Sequence, residues 1–371
     1  MPRRTVCLKG IVLFLFCLIF CDCLPGMEPA DYFSYYKDYA KVKEVPPPEK
    51  LNEIALVFHS PVPSVQQAGY LIAQKNGFYK QEGLPPVAIR WIGNSRIDGT
   101  MQLQQGKAHF YTLSLPRAYI ANGLGIKNAV IALISPNPDF ALMVRTDLTP
   151  QITEFKHLDK LRIGVGIRLD EYPILLFAHN KISFEPIITL NDGTTLLRKG
   201  VIDALFVTSH GAQIFKNFSK NRENILLFPY QSSDFHLPGE CLTCMKSFLF
   251  KHPEVCQKFI RATYRGYLYA SKNPKEALGV LEKAYKENHI VFDQFIVKKQ
   301  LDIWFREMEL NPALEANGDW SEKDFNTLRS CLTESKILDA KQGADYRKFF
   351  YPVLLSPTLE RINKEKQSCR D

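Results

Sequence analysis

The feature that most constrains this chain is the alternation of short apolar runs with short helix-like stretches between Leu51 and Ile134. Leu51–Phe58 has the composition of a strand, and His59-Ser60-Pro61-Val62-Pro63-Ser64 forms the loop into a helix that Pro63-Ser64 starts. In Gly69–Leu84, Tyr70, Leu71, Ala73 and Phe78 share one helix face, and Gly77 stops the helix as glycine does at a C-terminal cap. Phe78 and Tyr79 make an aromatic turn, Gly83 breaks the chain again, and Val87–Trp91 alternates like a strand. Beyond Ile92-Gly93-Asn94-Ser95 a helix is predicted from Ile97 to Gln105, closed by Gly106. A strand at His109–Leu113, a helix from Ser114 to Asn122-Gly123 and a strand at Val130–Ile134 follow. Such alternation builds an α/β domain whose ligands sit beyond the carboxyl ends of the strands.

At 371 residues, with 46% hydrophobic and 23% charged side chains, the chain has material for two globular units. Its start is different. Arg3, Arg4 and Lys9 precede an unbroken apolar run from Ile11 to Phe20, the order of a secretory signal, and the run is short for a membrane span. Cys21 and Cys23 are small enough for cleavage before Leu24, so 1–23 is expected to be a signal peptide. Leu18-Ile19-Phe20-Cys21 approaches a lipid-attachment box, but Phe20 is bulky where a small residue is wanted. Residues 24–50, tyrosine-rich and ending in Pro46-Pro47-Pro48, are expected to form an extended tether.

Removing Arg3, Arg4, Lys9 and Asp22 leaves 44 basic against 38 acidic residues, a net of +6 spread along the chain. With no arginine-rich arm or zinc-finger spacing, nucleic acid is not an expected partner. Outside the leader remain Cys241, Cys244, Cys256, Cys331 and Cys369. Cys241-Leu242-Thr243-Cys244 has zinc-like spacing, yet no second such pair accompanies it, so packed thiols are expected rather than a metal site. Thr208-Ser209-His210 lacks a nucleophile elbow and an oxyanion turn, so no catalytic group is assigned.

Several phrases carry a resemblance. Ala73, Gly77, Phe78, Tyr79, Gly83 and Leu84 fall in the order of "Ala-Lys-x-x-Gly-Phe-Phe-x-x-x-Gly-Leu". Leu158-Asp159-Lys160-Leu161-Arg162-Ile163-Gly164-Val165 is similar to "Leu-Lys-Gly-Lys-x-Ile-Gly-Val". Leu197–Ala204 is similar to "Leu-x-x-Gly-x-Val-Asp-Ala", with Gln105–Phe110 as its counterpart in the first half. Pro253, Val255, Phe259, Ala262, Gly266, Ala270, Pro274 and Ala277 match a long helix pair across Phe248–Leu281. Together they resemble the periplasmic solute-binding proteins of the nitrate/sulfonate/taurine type, which serve ABC transporters, and their relatives the thiamine pyrimidine-precursor binding proteins and synthases. The resemblance runs from Leu51 to Leu338. It implies a two-lobed periplasmic binding protein fold (type II), each lobe a mixed sheet flanked by helices, with crossovers near Ser135–Arg145 and Tyr230–Cys244. Residues 51–140 would begin lobe I, 141–240 form lobe II, and 241–371 return to lobe I and the C-terminal helices.

Within that frame the candidate ligand contacts come from loops at strand ends: His59, Ser60 and Ser64; Gly93, Asn94 and Ser95; Thr112 and Ser114; Asp139; Gly166, Arg168, Asp170 and Glu171; Thr208; and Ser232 and Phe235. Small hydroxyls, amides and helix-start N–H groups coordinate anions, and Arg168 adds a charge-assisted contact. Helix capping by Ser64, Asn94 and Ser114, and a surface pair between Arg168 and Asp170, are equally open for these residues. The pyrimidine-forming relatives carry Asn-Trp where this chain has Ser60-Pro61, a His where it has Gln67, and a cysteine cluster of which only Cys241 and Cys244 remain. The expectation is therefore an exported, monomeric binding protein without a cofactor. It would capture a small organic or anionic solute for an ABC permease and ATPase, and meet the membrane only through its leader or a lipid anchor. A synthase-like enzyme and a membrane-tethered sensor are the alternatives.

Overall fold

In the computed structural model the residues described are 31, 33–60, 62–92, 98–135, 140–145, 147–148, 155–165, 171–182, 186–189, 193–208, 212, 225–229, 239–307, 322–342 and 345–352. The apolar runs pair into two sheets. The first contains β1 (Ile54–Phe58), β2 (Val87–Trp91), β3 (Phe110–Ser114) and β4 (Asn128–Leu133). The second contains β5 (Ala141–Arg145), β6 (Ile163–Val165), β7 (Pro186–Ile188), β8 (Ala204–Val207) and β9 (Ile225–Pro229), after which β10 (Glu240–Met245) rejoins the first. The orders are β2-β1-β3-β10-β4 and β7-β6-β8-β5-β9.

The two orders follow one plan. β1 is parallel to β2 and β3, β6 is parallel to β7 and β8, and in each sheet the next strand inward is the antiparallel one the chain uses to cross between lobes, β10 or β5. β1 and β4 are buried along their whole length, which is why they read as continuous apolar runs rather than alternating ones. The crossovers are shorter than predicted, because β5 and β10 each pair on both sides and so belong to the sheets.

The helices are α1 (Tyr35–Tyr39), α2 (Ala68–Lys75), α3 (Phe78–Gln81), α4 (Gly99–Gln104), α5 (Leu115–Gly123), α6 (Glu171–His179), α7 (Gly193–Arg198), α8 (Lys246–Lys251), α9 (Pro253–Lys272), α10 (Pro274–Glu287), α11 (Gln294–Glu307) and α12 (Glu322–Glu334). Gly77 does end α2, at φ 70°, but Phe78 and Tyr79 open a one-turn helix rather than a bare turn. The predicted C-terminal helix pair is three helices, because Pro253 and Pro274 each sit in a first turn, where the missing N–H has no helical partner to lose. α9 crosses α2 at two glycines. A Cβ on Gly266 would lie 2.1 Å from the Gly69 carbonyl oxygen, so the backbones meet where no side chain fits.

The N-terminal segment corrects a prediction. From Phe33 to Pro48 it lies on lobe I instead of standing off as a spacer. Phe33 and Tyr36 are buried, the Val45 amide donates to the Gln104 carbonyl at 2.8 Å, and Gln104 Nε2 donates to the Tyr39 carbonyl at 3.1 Å. The prolines lie outside any helix or strand, and their carbonyls are docked: Lys251 Nζ reaches the Pro47 oxygen at 2.9 Å and the His252 ring the Pro48 oxygen at 2.8 Å. At the other end, Tyr351 N donates to Val130 O and Val130 N to Phe349 O, both at 2.7 Å, lengthening the edge of the first sheet. α12 reaches the second lobe, where the Cys331 thiol donates to the Leu175 carbonyl at 3.2 Å.

Candidate functional site

The strands of the first sheet end in a connected polar cluster. At the end of β1 the His59 amide donates to Thr112 Oγ1 at 3.3 Å, and His59 Nδ1 lies 2.7 Å from the Tyr111 hydroxyl. At the end of β3, Ser114 caps α5, its Oγ accepting the Arg117 amide at 3.2 Å. The same hydroxyl donates to Glu171 Oε1, and Arg117 Nε donates to Glu171 Oε2 at 2.8 Å. Glu171 opens α6, which packs Phe177 on Phe206 of β8 in the second sheet. Two helix N-termini, one from each lobe, therefore converge on one carboxylate, which both dipoles and the guanidinium favour. Arg117 and Glu171 are 7% and 1% exposed, so the pair is fully inside the protein. Arg117 Nη1 also lies 3.4 Å from His59 Nε2, which links the pair to the β1 end. From the next residue, the Tyr172 hydroxyl donates to the Gly239 carbonyl at 3.2 Å, fastening α6 to the returning crossover.

On the sheet face behind this pair lies Asp98. Its Oδ1 caps α4 by accepting the Thr100 and Met101 amides at 2.8 and 3.2 Å, and Oδ2 is buried without a partner. Burial raises its pKa, against those amides and Arg117. Burial likewise pushes Tyr35 up to about 12 and Tyr111 well above its ordinary value.

A second acidic group stands at the start of the returning strand. Glu240 opens β10 opposite Ser114. Its Oε1 is buried and meets no hydrogen-bond donor, and burial raises its carboxyl to about 8, with the Thr112 hydroxyl opposing the rise. The hydroxyls of Tyr70 on α2 and Tyr267 on α9 face it electrostatically. Tyr267 donates to the Gln66 carbonyl at 2.6 Å, whereas the Tyr70 hydroxyl is buried without a partner.

Of the predicted contacts, the structure brings His59, Thr112, Ser114 and Glu171 into one network. Ser64 begins the turn into α2, where Gln67 Oε1 takes the Ser64 amide at 3.0 Å and the Trp91 indole N–H at 2.7 Å; Gln67 is thus held as a cap. Ser60 folds back on its own loop, its hydroxyl donating to the Val62 carbonyl, so it is a turn residue. Thr208 follows β8 in the second lobe, where its carbonyl takes the Ala212 amide at 2.8 Å. Gly93, Asn94, Ser95, Asp139, Gly166, Arg168, Asp170, Ser232 and Phe235 lie outside the described residues. Sequence reasoning passed over Arg117 and Glu240. Arg117 carried a signal, since a cation in the first turn of a helix opposes the dipole unless an anion is near.

Cys241 and Cys244 are buried free thiols on β10, and burial raises both. Among the described residues no group of His, Cys, Asp or Glu is arranged to hold a metal, and no helix is long and apolar enough to cross a membrane.

Two mixed α/β sheets of one strand order, joined by antiparallel crossing strands and meeting helix end to helix end, define the two-lobed class of solute-binding folds. Within that class, the sequence profile of the NMT1/THI5-like family matches residues 64–277, and the chain belongs to that family. The periplasmic aliphatic sulphonate-binding protein SsuA of Escherichia coli is similar in structure, with a TM-score of 0.59 at 10% identity over 81% of this chain and 92% of its own. The periplasmic nitrate-binding protein NrtA of Synechocystis PCC 6803 gives 0.55 at 12% identity, over 84% and 89%. A Candida albicans protein described as having the generic periplasmic binding protein fold gives 0.54 at 16%, over 81% and 96%. No curated protein sequence matches the chain significantly.

Proposed function

We propose that this chain is an exported solute-binding protein that holds a small molecule between its lobes and hands it to an ABC-type permease and ATPase. The observation that carries the reading is the convergence of strand ends and helix N-termini from both lobes on buried polar groups, among them Arg117, Glu171, Thr112 and Glu240. Such a junction opens and closes with the lobes, and a molecule bound there holds it closed. The family match and the periplasmic binding proteins that share the fold support it. Export rests on the apolar run Ile11–Phe20 behind Arg3, Arg4 and Lys9. His59, Ser64, Thr112, Ser114, Glu171 and Thr208 are the described residues proposed to line the site, with Gly93, Asn94, Ser95, Asp139, Gly166, Arg168, Asp170, Ser232 and Phe235 proposed beside them.

The test is native mass spectrometry of freshly purified protein, followed by a thermal-shift screen over sulfonates, nitrate, pyrimidines and polyamines. A ligand at a hundred times its dissociation constant stabilises the folded state by about 2.7 kcal/mol, a readily measured rise. If no compound raises the melting temperature, solute capture is wrong. The family takes in THI5-like proteins, so turnover of a pyridoxal-phosphate or pyrimidine substrate by the purified protein would replace the transport reading with an enzymatic one.

A further inference from the structure

Buried oxygens without partners are uncommon in folded proteins, and each one asks for an explanation. Glu240 Oε1 and the Tyr70 hydroxyl are two such atoms on the same side of the first sheet. They are connected through described contacts. Phe58, paired in register with Thr112, packs on Tyr70 with ring centroids 5.1 Å apart, and Tyr70 packs on Tyr267 at 5.5 Å. Thr112 turns its hydroxyl to Glu240, and Ser64 stands at the start of the turn whose Gln66 carbonyl takes Tyr267. The position is the carboxyl end of the strands, beside the crossover, where the proposed solute would lie. Glu240 and the Tyr70 hydroxyl both accept hydrogen bonds, the hydroxyl also donates, and among the described residues no basic side chain perturbs Glu240. The arginine at the same strand ends, Arg117, is neutralised by Glu171.

Building on the solute-capture reading, we propose that Glu240 is the specificity residue of the cleft and that the solute presents a cationic N–H donor, an ammonium or amidinium, to Glu240 Oε1 and the Tyr70 hydroxyl. A sulfonate or nitrate ion would find hydroxyl donors there but no unpaired positive charge among the described residues, and above about pH 8 it would meet an ionised carboxylate. A cation supplies both the missing charge and the missing hydrogens. It also draws the carboxyl, which burial holds at about 8, into its ionised form, so capture of a cation releases a proton. The titratable groups that face Glu240 are the Tyr70 and Tyr267 hydroxyls and the Cys241 thiol. Burial raises all three, so they stay neutral through the range in which Glu240 ionises.

The experiment is calorimetric titration of the full chain with putrescine and ethanolamine, and with ethanesulfonate and nitrate as anionic probes, between about pH 6 and pH 8. The expected result is binding of an amine whose affinity rises by up to about tenfold per pH unit below about pH 8. Glu240→Gln should weaken it by about tenfold or more, and Tyr70→Phe by several-fold. Both variants are close in shape to the native residues, and Glu240→Gln removes a buried ionisable group, so folding is retained. Binding of ethanesulfonate or nitrate that Glu240→Gln leaves unchanged overturns the inference while leaving solute capture standing, and so does amine binding insensitive to both substitutions. Failure of every compound in the wider screen removes solute capture and this inference with it.

Discussion

Glu240 gives the sharpest prediction on stability, because its carboxyl is buried with one oxygen unpartnered. Its pKa rises from 4.5 to about 8 on folding. At 1.36 kcal/mol per pKa unit that is about 5 kcal/mol, comparable with the whole stability of many domains. The sign follows from proton binding. Above about pH 4.5 the unfolded chain releases the proton that the folded chain keeps, so this contribution is complete in acid, is lost as pH rises, and levels off above about pH 8. Glu240→Gln removes the titration. Urea unfolding of wild type and variant at intervals from about pH 5 to pH 9, followed by tryptophan fluorescence, gives the two stability curves. The variant should match the wild type near pH 5 and exceed it by about 3 kcal/mol at pH 7, with the gap widening to about 5 kcal/mol by pH 9. Asp98, whose pKa burial also raises, tilts both curves alike, so the difference between them isolates Glu240. A difference that stays constant with pH would show that water or a counter-charge already reaches the carboxylate, and would refute the reasoning.

Three further perturbations test the rest of the architecture. Arg117→Met leaves Glu171 buried without its cation and should cost about 3–5 kcal/mol in urea unfolding, most of it recovered in Arg117→Met/Glu171→Leu; a cost below about 1 kcal/mol would mean that the pair is solvated. Gly266→Ala must push α9 off the Gly69 carbonyl and should destabilise by at least about 1–3 kcal/mol, whereas Gly279→Ala on α10, with nothing within 4 Å of the new methyl, should stabilise by about 0.5–1 kcal/mol. Tyr36→Ala removes a side chain with 0% exposure and should cost about 3 kcal/mol or more, while a free spacer would register no change in melting.

How much of the fold could be read in advance depended on where each segment's partners lay. β1, β3 and β4 announce themselves because burial forces long apolar runs, and α2 ends at Gly77 because the chain there takes a positive φ. Local chemistry also sets the start of α4. Asp98 is the cap, so the helix begins at Gly99 and not at Ile97. The N-terminal segment was illegible for the opposite reason. Its composition is that of a spacer, and what holds it is distant: Gln104, Ser247, Lys251 and His252 bind it at positions no local pattern connects to residues 33–50.

The site divides along the same line. A rule that takes polar residues at strand ends finds His59, Thr112, Ser114 and Glu171, since the carboxyl ends of parallel strands are where such folds gather their ligands. It passes over Arg117, in the first turn of a helix, and Glu240, the first residue of an antiparallel strand, whose roles come from partners in other elements. Those two residues change the charge of the site. The N-terminus of α5 is a natural anion position, but Glu171 from the other lobe already fills it, hydrogen-bonded to the capping Ser114 and paired with Arg117. An anionic solute would have to expel a carboxylate that carries its own buried guanidinium, and at the start of β10 it would meet Glu240. At 10–12% identity the sulphonate- and nitrate-binding structures share the fold alone. Here the fold keeps its helix ends, and the anion they attract is part of the chain.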